Sequence, residues 1–157
     1  MIYRAVELAY EDGDLSEEFF RLSDEQALEY LRTKCRYSTI RLVEKTLKWH
    51  WYKTIFSQKT TEPSEKLKSI ANYAGRKKLA DRIVDEAKIA RENVCIVVSK
   101  GRDVRKITVP FVHKNGSKRF DINEGKVIYR VMIYIPPEIT EAKTIGKIKK
   151  IIQEEIG

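Results

Sequence analysis

At 157 residues, 42% hydrophobic and with a formal net charge of +8 at pH 7, the chain is long enough to bury a core, in one domain or two small ones. No apolar run approaches the roughly 18 residues of a membrane span and no signal peptide opens the sequence, so a cytoplasmic protein without a membrane span is expected. Cys35 and Cys95 are too few for a disulfide framework, and with only two histidines beside them the composition argues against a structural zinc site. The wealth of Lys, Glu and Ile beside three Gln leans towards a thermophile.

The charge is unevenly laid out. Residues 1–30 carry nine acidic and two basic side chains, whereas residues 31–57 carry seven basic and one acidic, and the basic excess continues to the end. Such a distribution favours anionic partners without choosing among nucleic acid, nucleotide and an acidic protein surface.

In chain order, Met1 to Tyr10 reads as a helix with Ile2, Ala5, Val6 and Ala9 on one side. It starts without a capping residue, and its apolar stripe is expected to cover a missing partner or to promote self-association. Glu11-Asp12-Gly13-Asp14 stops it. That acidic loop is read as a helix end in preference to a metal site. Leu15 to Leu22 forms a short helical or irregular link, and Ser23-Asp24-Glu25-Gln26 is a capping box that opens a helix over Ala27 to Thr33. Ser38 or Thr39 begins a long helix whose clearest stretch, Ile40 to Phe56, contains neither Gly nor Pro. At 100° per residue Ile40, Val43, Leu47, Trp51 and Ile55 share a core-facing side. Arg41, Lys45, Lys48, Trp49, Tyr52, Lys53 and Phe56 share the opposite one. That second side is basic and aromatic at once. It is either a second packing surface with lysine stems lying over it, or a platform where rings stack on a base and ammonium groups meet phosphate.

The polar Gln58–Pro63 stretch marks a boundary, giving a helical segment over 1–57 and an α+β domain over 58–157. Ser64 to Tyr73 is a short helix broken near Gly75, and Arg76 to Arg91 another, with Leu79, Ile83, Ala87 and Ala90 inward. Val94 to Val98 is a buried strand. Lys100 to Lys106 is a charged loop, and Ile107 to His113 a strand that Pro110 assigns to an edge or bulge. Asn115-Gly116 turns the chain back through Lys118 to Ile122. After a turn at 123–126, Val127 to Ile135 is the longest strand, ended by Pro136-Pro137. Glu138 to Ile156 closes the chain as a helix with Ala142, Ile145, Ile148, Ile152 and Ile156 inward. The expected class is α+β, an N-terminal helical segment followed by a small antiparallel sheet packed with helices.

No Ser-His-Asp arrangement, CxxC pair or GxxxxGK[ST] loop occurs. His50 is read as a satisfied histidine at a helix edge, His113 as solvated and Cys95 as a core residue. No catalytic set and no metal-ligand set is assigned.

Several segments, taken in order, resemble a known family. Ala5-Val6-Glu7-Leu8-Ala9 with Glu11-Asp12-Gly13 is similar to the helix that follows the catalytic core of the HD-domain phosphohydrolases, the group containing deoxynucleotide triphosphohydrolases. Phe20-Arg21-Leu22-Ser23-Asp24-Glu25, with Leu28 and Leu31, resembles the family's Leu-x-Asp segment. Arg41 to Phe56 resembles the helix ending in Arg-x-x-Tyr/Phe-Lys, carried here by Tyr52-Lys53. Val94 to Ser99 and Tyr129 to Pro137, with Tyr134-Ile135-Pro136, look like strands of the appended α+β region. The sequence departs from the family in two ways. It has no His-Asp dipeptide, since the family's divalent-metal ligands lie upstream of these segments, and Trp49 stands where nucleotide-regulated members carry an Arg. The resemblance implies an accessory or regulatory part of an HD phosphohydrolase, with the divalent metal in a catalytic core outside this chain. Its expected partners are that HD core or a second copy of the chain. A nucleotide is a further one, at Lys53, Tyr52, Trp49, Lys48 and Lys45. The alternative is a stand-alone basic α+β module that binds nucleic acid.

Overall fold

The computed structural model describes residues 1–102, 110–113, 116–119 and 127–156, with the backbone alone at residues 102, 110–113 and 116–119. The class is α+β. The elements run α1 (Ile2–Glu11), a 3-10 turn (Glu17–Arg21), α2 (Asp24–Thr33), α3 (Tyr37–Leu47), β1 (Lys53–Thr60), α4 (Glu65–Ile70) and α5 (Tyr73–Ala87). They continue with a second 3-10 turn (Arg91–Asn93), β2 (Cys95–Arg102), β3 (Pro110–His113), β4 (Gly116–Arg119), β5 (Val127–Ile135) and α6 (Ala142–Ile156).

The strands β1, β5 and β2 form an antiparallel sheet with β5 in the centre, and β3 pairs with β4 in a separate two-stranded ladder. Side chains alternate across a strand, so the sheet has two faces to cover. Val131, Ile133 and Ile135 of β5 join Ile96 and Val98 of β2 against Leu67, Leu79, Ile83, Ile148 and Ile152 from α4, α5 and α6. The intervening residues Tyr134, Cys95 and Val97 face the other way, where with Tyr52 they meet Leu8, Leu31, Leu42 and Val43 of the first three helices. The sheet is thus a middle layer that joins the helical front to the rear helices. Leu8, Leu42, Ile83, Ile133 and Ile152 are fully buried, each contributing about 1.5–3 kcal/mol of transfer free energy.

Charged groups reinforce both seams. Behind the sheet, Arg82 of α5 reaches Glu154 and Glu155 of α6 at 2.5 and 2.7 Å. In front, Arg4 is buried and binds Glu7 at 3.3 Å and Glu11 at 3.0 Å, while Arg76 of α5 binds the same Glu7 at 3.3 Å. Asp12 forms an ion pair with Arg91 at 2.6 Å, and Glu92 pairs with Arg41 of α3 at 3.6 Å.

Several sequence expectations are met. Ser23 and Gln26 form the reciprocal capping box, β5 has the expected bounds, and Val94, Cys95 and Ile96 are buried. Others are corrected. The long helix begins at Tyr37 and ends at Leu47, and Trp51 to Phe56 do not continue it; from Lys53 the chain is a strand. The boundary drawn between residues 57 and 58 therefore falls inside β1. The break before α5 lies at Ala71–Asn72, with Asn72 as its cap, and Gly75 sits within the helix. Lys88 in the left-handed region stops α5, leaving Ala90 exposed outside it. The inward face of α6 uses Ile151, not the exposed Ala142. On α1, Ala5 and Ala9 are buried by the chain's own helices, so the stripe assigned to a missing partner is largely covered; Ile2 stays at its rim. The charged loop after Lys100, the turn residue Asn115, the stretch 120–126 and the His113 side chain lie wholly or partly outside the described residues.

Candidate functional site at the end of the third helix

The site begins with how α3 stops. The Trp49 N–H donates to the Thr46 carbonyl at 3.1 Å and the His50 N–H to the Lys45 carbonyl at 2.9 Å. This pair of bonds is the Schellman ending, with Lys48 as C-cap and the next residue in the left-handed region. That next residue is Trp49, at φ 60°. The position ordinarily belongs to glycine, because a Cβ there crowds the backbone at a cost of about 1–2 kcal/mol. The Trp51 N–H then donates to the Trp49 carbonyl at 3.1 Å, which tightens the turn before β1.

The turn displays two indole rings. Trp49 is 76% exposed and Trp51 54%, and they meet edge to face with centroids 5.8 Å apart and planes at 74°. With His50, Pro137 and Glu138 they line an open groove of about 610 Å3. Pro137 and Glu138 come from the loop after β5, since β1 lies beside β5 with Lys53 opposite Ile135. On its inner side Trp51 also lines a cavity of about 190 Å3 with Met1, Tyr52, Cys95, Val97 and Tyr134.

The five residues assigned to nucleotide from the sequence do not converge on one face. Tyr52 is buried and its hydroxyl donates to the Glu92 carbonyl at 2.9 Å. Burial first, and then Glu92, push that phenol well above its ordinary pKa. Lys53 donates to the carbonyls of Ile139 at 2.7 Å and Pro137 at 3.3 Å, so its ammonium ties down the loop after β5. Lys45 approaches Glu138 at 3.7 Å and lies 5.7 Å from the Tyr52 ring centroid. A backbone N–H, and then Lys45, hold the Glu138 carboxyl below the usual carboxylate range. Trp49 and Lys48 alone of the five stand exposed. Of the other groove residues, His50 was taken for a satisfied edge histidine and Trp51 for a core residue, and both are exposed.

The acidic pair after α1 and the two cysteines serve the structure. Asp14 accepts the Arg36 backbone N–H at 2.7 Å, and Asp12 lies between Arg91 and Arg36, so arginines take up the acidic pair. No group of three or more possible metal ligands occurs among the described residues. Burial raises the Cys95 thiol and, with Asp14 and Asp12 as lesser causes, lifts Cys35 to about 11. Neither is an activated nucleophile. The arrangement offers stacking surfaces and a solvated ammonium, which is binding chemistry.

No helix among the described residues is long and apolar enough to cross a membrane. No protein-family model matches the chain, and no curated protein matches it significantly.

Proposed function

We propose that this chain is the accessory α+β part of an HD-type phosphohydrolase, a unit that supports or regulates a metal-dependent catalytic core carried by other residues. The observation that carries the reading is the seam between the helical front and the sheet. Glu7–Arg76, Asp12–Arg91 and Arg41–Glu92 cross it, and the Tyr52 hydroxyl bond spans it within the protein. A helical segment that continues a catalytic core would transmit its position to the sheet through these contacts. The ordered motifs from Ala5 to Pro137 support the same assignment. A divalent metal belongs to the core in this reading, as the resemblance implies. Two unpaired, buried cysteines fit the reducing cytoplasm.

Two measurements test the proposal. The coding sequence ahead of Met1 should contain, in frame, a His-Asp pair; an unrelated sequence or an immediate stop there would remove the family reading. Purified chain supplied with Mn2+ or Mg2+ should release neither phosphate nor triphosphate from deoxynucleoside triphosphates. Metal-dependent turnover lost on changing His50 or His113 would show that the chain is itself the hydrolase.

A further inference from the structure

The two tryptophans at the end of α3 have no role in the accessory reading. They are nonetheless among the most exposed large apolar side chains described, and one is held in a strained conformation to stay so. Strain of this kind persists where the surrounding structure over-determines it and tends to cluster at binding sites. Here the two Schellman bonds and the Trp51-to-Trp49 backbone bond supply that over-determination.

We infer that the Trp49–Trp51 turn is a docking surface for single-stranded nucleic acid, the two indole rings taking bases and Lys48 an adjoining phosphate. Charge complementarity selects this partner. The chain carries a net charge of +8. Among the described residues Arg36, Arg41 and Lys45 are taken up by carboxylates and Lys53 by backbone carbonyls, while the cation at the turn itself is not. Lys48 is exposed next to Trp49 and has no ion-pair partner among the described residues. Among the described residues Glu138 is the one carboxylate lining the groove, and Lys45 partly neutralises it from 3.7 Å.

Ring geometry narrows the ligand further. Two planes at 74° cannot sandwich one flat ring between them, so each offers its own face to a separate base. That arrangement suits a strand with splayed bases better than one nucleotide, and stacking tolerates any base because every base has a π-face. Perpendicular rings beside a carboxylate could also box an alkylammonium ion. Here Lys45 already occupies the carboxylate's neighbourhood. The inference does not rest on the HD assignment, and its test does not depend on what precedes Met1.

The experiment is fluorescence anisotropy of labelled 12-nucleotide single strands, DNA and RNA, against the full chain over a range of salt. Binding should weaken with salt by a log–log slope of about −0.7 per phosphate contacted. Trp49→Ala should weaken it about tenfold, with Trp49→Phe keeping most of the affinity. Lys48→Ala should reduce the slope by about 0.7. Glu138→Gln should tighten binding by removing the groove's negative charge. Far-UV circular dichroism on each variant confirms that the fold is retained. The inference is overturned by absence of binding at low salt. It is equally overturned by binding that Trp49→Ala and Trp51→Ala both leave unchanged, which would place the strand elsewhere. A single deoxynucleoside triphosphate that competes as well as the 12-mer would make the site mononucleotide-specific. Tetramethylammonium binding lost in Glu138→Gln, without oligonucleotide binding, would make it a cation box.

Discussion

Replacing Trp49 by glycine and, separately, by alanine distinguishes a helix that ends at Leu47 from one that runs on to Phe56. Trp49 adopts φ 60°. A Cβ in that region costs about 1–2 kcal/mol, which alanine retains and glycine removes. Glycine in turn loses about 0.5–1 kcal/mol through its freer unfolded chain. Both substitutions forfeit the edge contact with Trp51, worth about 0.5 kcal/mol at so exposed a site. Trp49→Gly should therefore lie close to the parent in stability, and Trp49→Ala about 0.5–1 kcal/mol below Trp49→Gly. In a continuing helix the order inverts, since glycine is about 1 kcal/mol worse than alanine in a helix interior. Urea denaturation followed by far-UV circular dichroism reads the difference without relying on the lost indole. If Trp49→Ala proves the more stable of the two, the left-handed turn is wrong and so is the site built on it.

Other substitutions probe the seam and the packing. Arg4→Ala should cost about 3 kcal/mol in urea midpoint analysis, because it leaves the largely buried Glu11 carboxylate without its ion-pair partner and Glu7 with Arg76 alone. Tyr52→Phe should cost about 1–3 kcal/mol by leaving the Glu92 carbonyl unpaired. It should also flatten the alkaline limb of the stability profile. The folded phenol titrates above its unfolded value near 10, so the stability it contributes is full below about pH 10 and is lost as pH rises further. A loss between pH 9 and 11 equally steep in Tyr52→Phe would assign that limb to other groups, such as Tyr73 at about 12 and Cys35 at about 11. Gly75→Ala should lower the melting temperature, although helix propensity alone would raise it. The new Cβ would collide with the Ser69 carbonyl oxygen, and such overpacking costs about 1–3 kcal/mol.

Much of this architecture is legible in the residues. The capping box at Ser23, the apolar run at Val94 and the long β5 each carry a local signal strong enough to survive tertiary context. The end of α3 does not, because its left-handed residue is Trp49 where a glycine would have announced it. One signal was present: Trp51, Tyr52, Thr54, Ile55 and Phe56 are aromatic or β-branched, a composition that favours a strand. Reading that stretch with a helical period gathered Lys45, Lys48 and Lys53 on one face. With the strand in place, Lys53 reaches carbonyls of the loop after β5 and Lys45 meets Glu138. Pro137 and Glu138 could not be assigned to the groove from sequence, since only the β1–β5 pairing brings residues more than 80 positions apart together. The covered stripe of α1 was misread for a related reason. An amphipathic pattern shows that a helix has an apolar side, but whether α2 and α3 or another molecule covers it is a tertiary matter.

The account turns on the helical front and the sheet forming one cooperative body, joined by β1, the Tyr52 hydroxyl and the crossing ion pairs. Differential scanning calorimetry of the intact chain tests this most directly. The account predicts one transition, with van't Hoff and calorimetric enthalpies equal at about 110 kcal/mol near 60 °C, the value expected for a chain of this length. Two resolved transitions, or a calorimetric enthalpy well above the van't Hoff value, would contradict it.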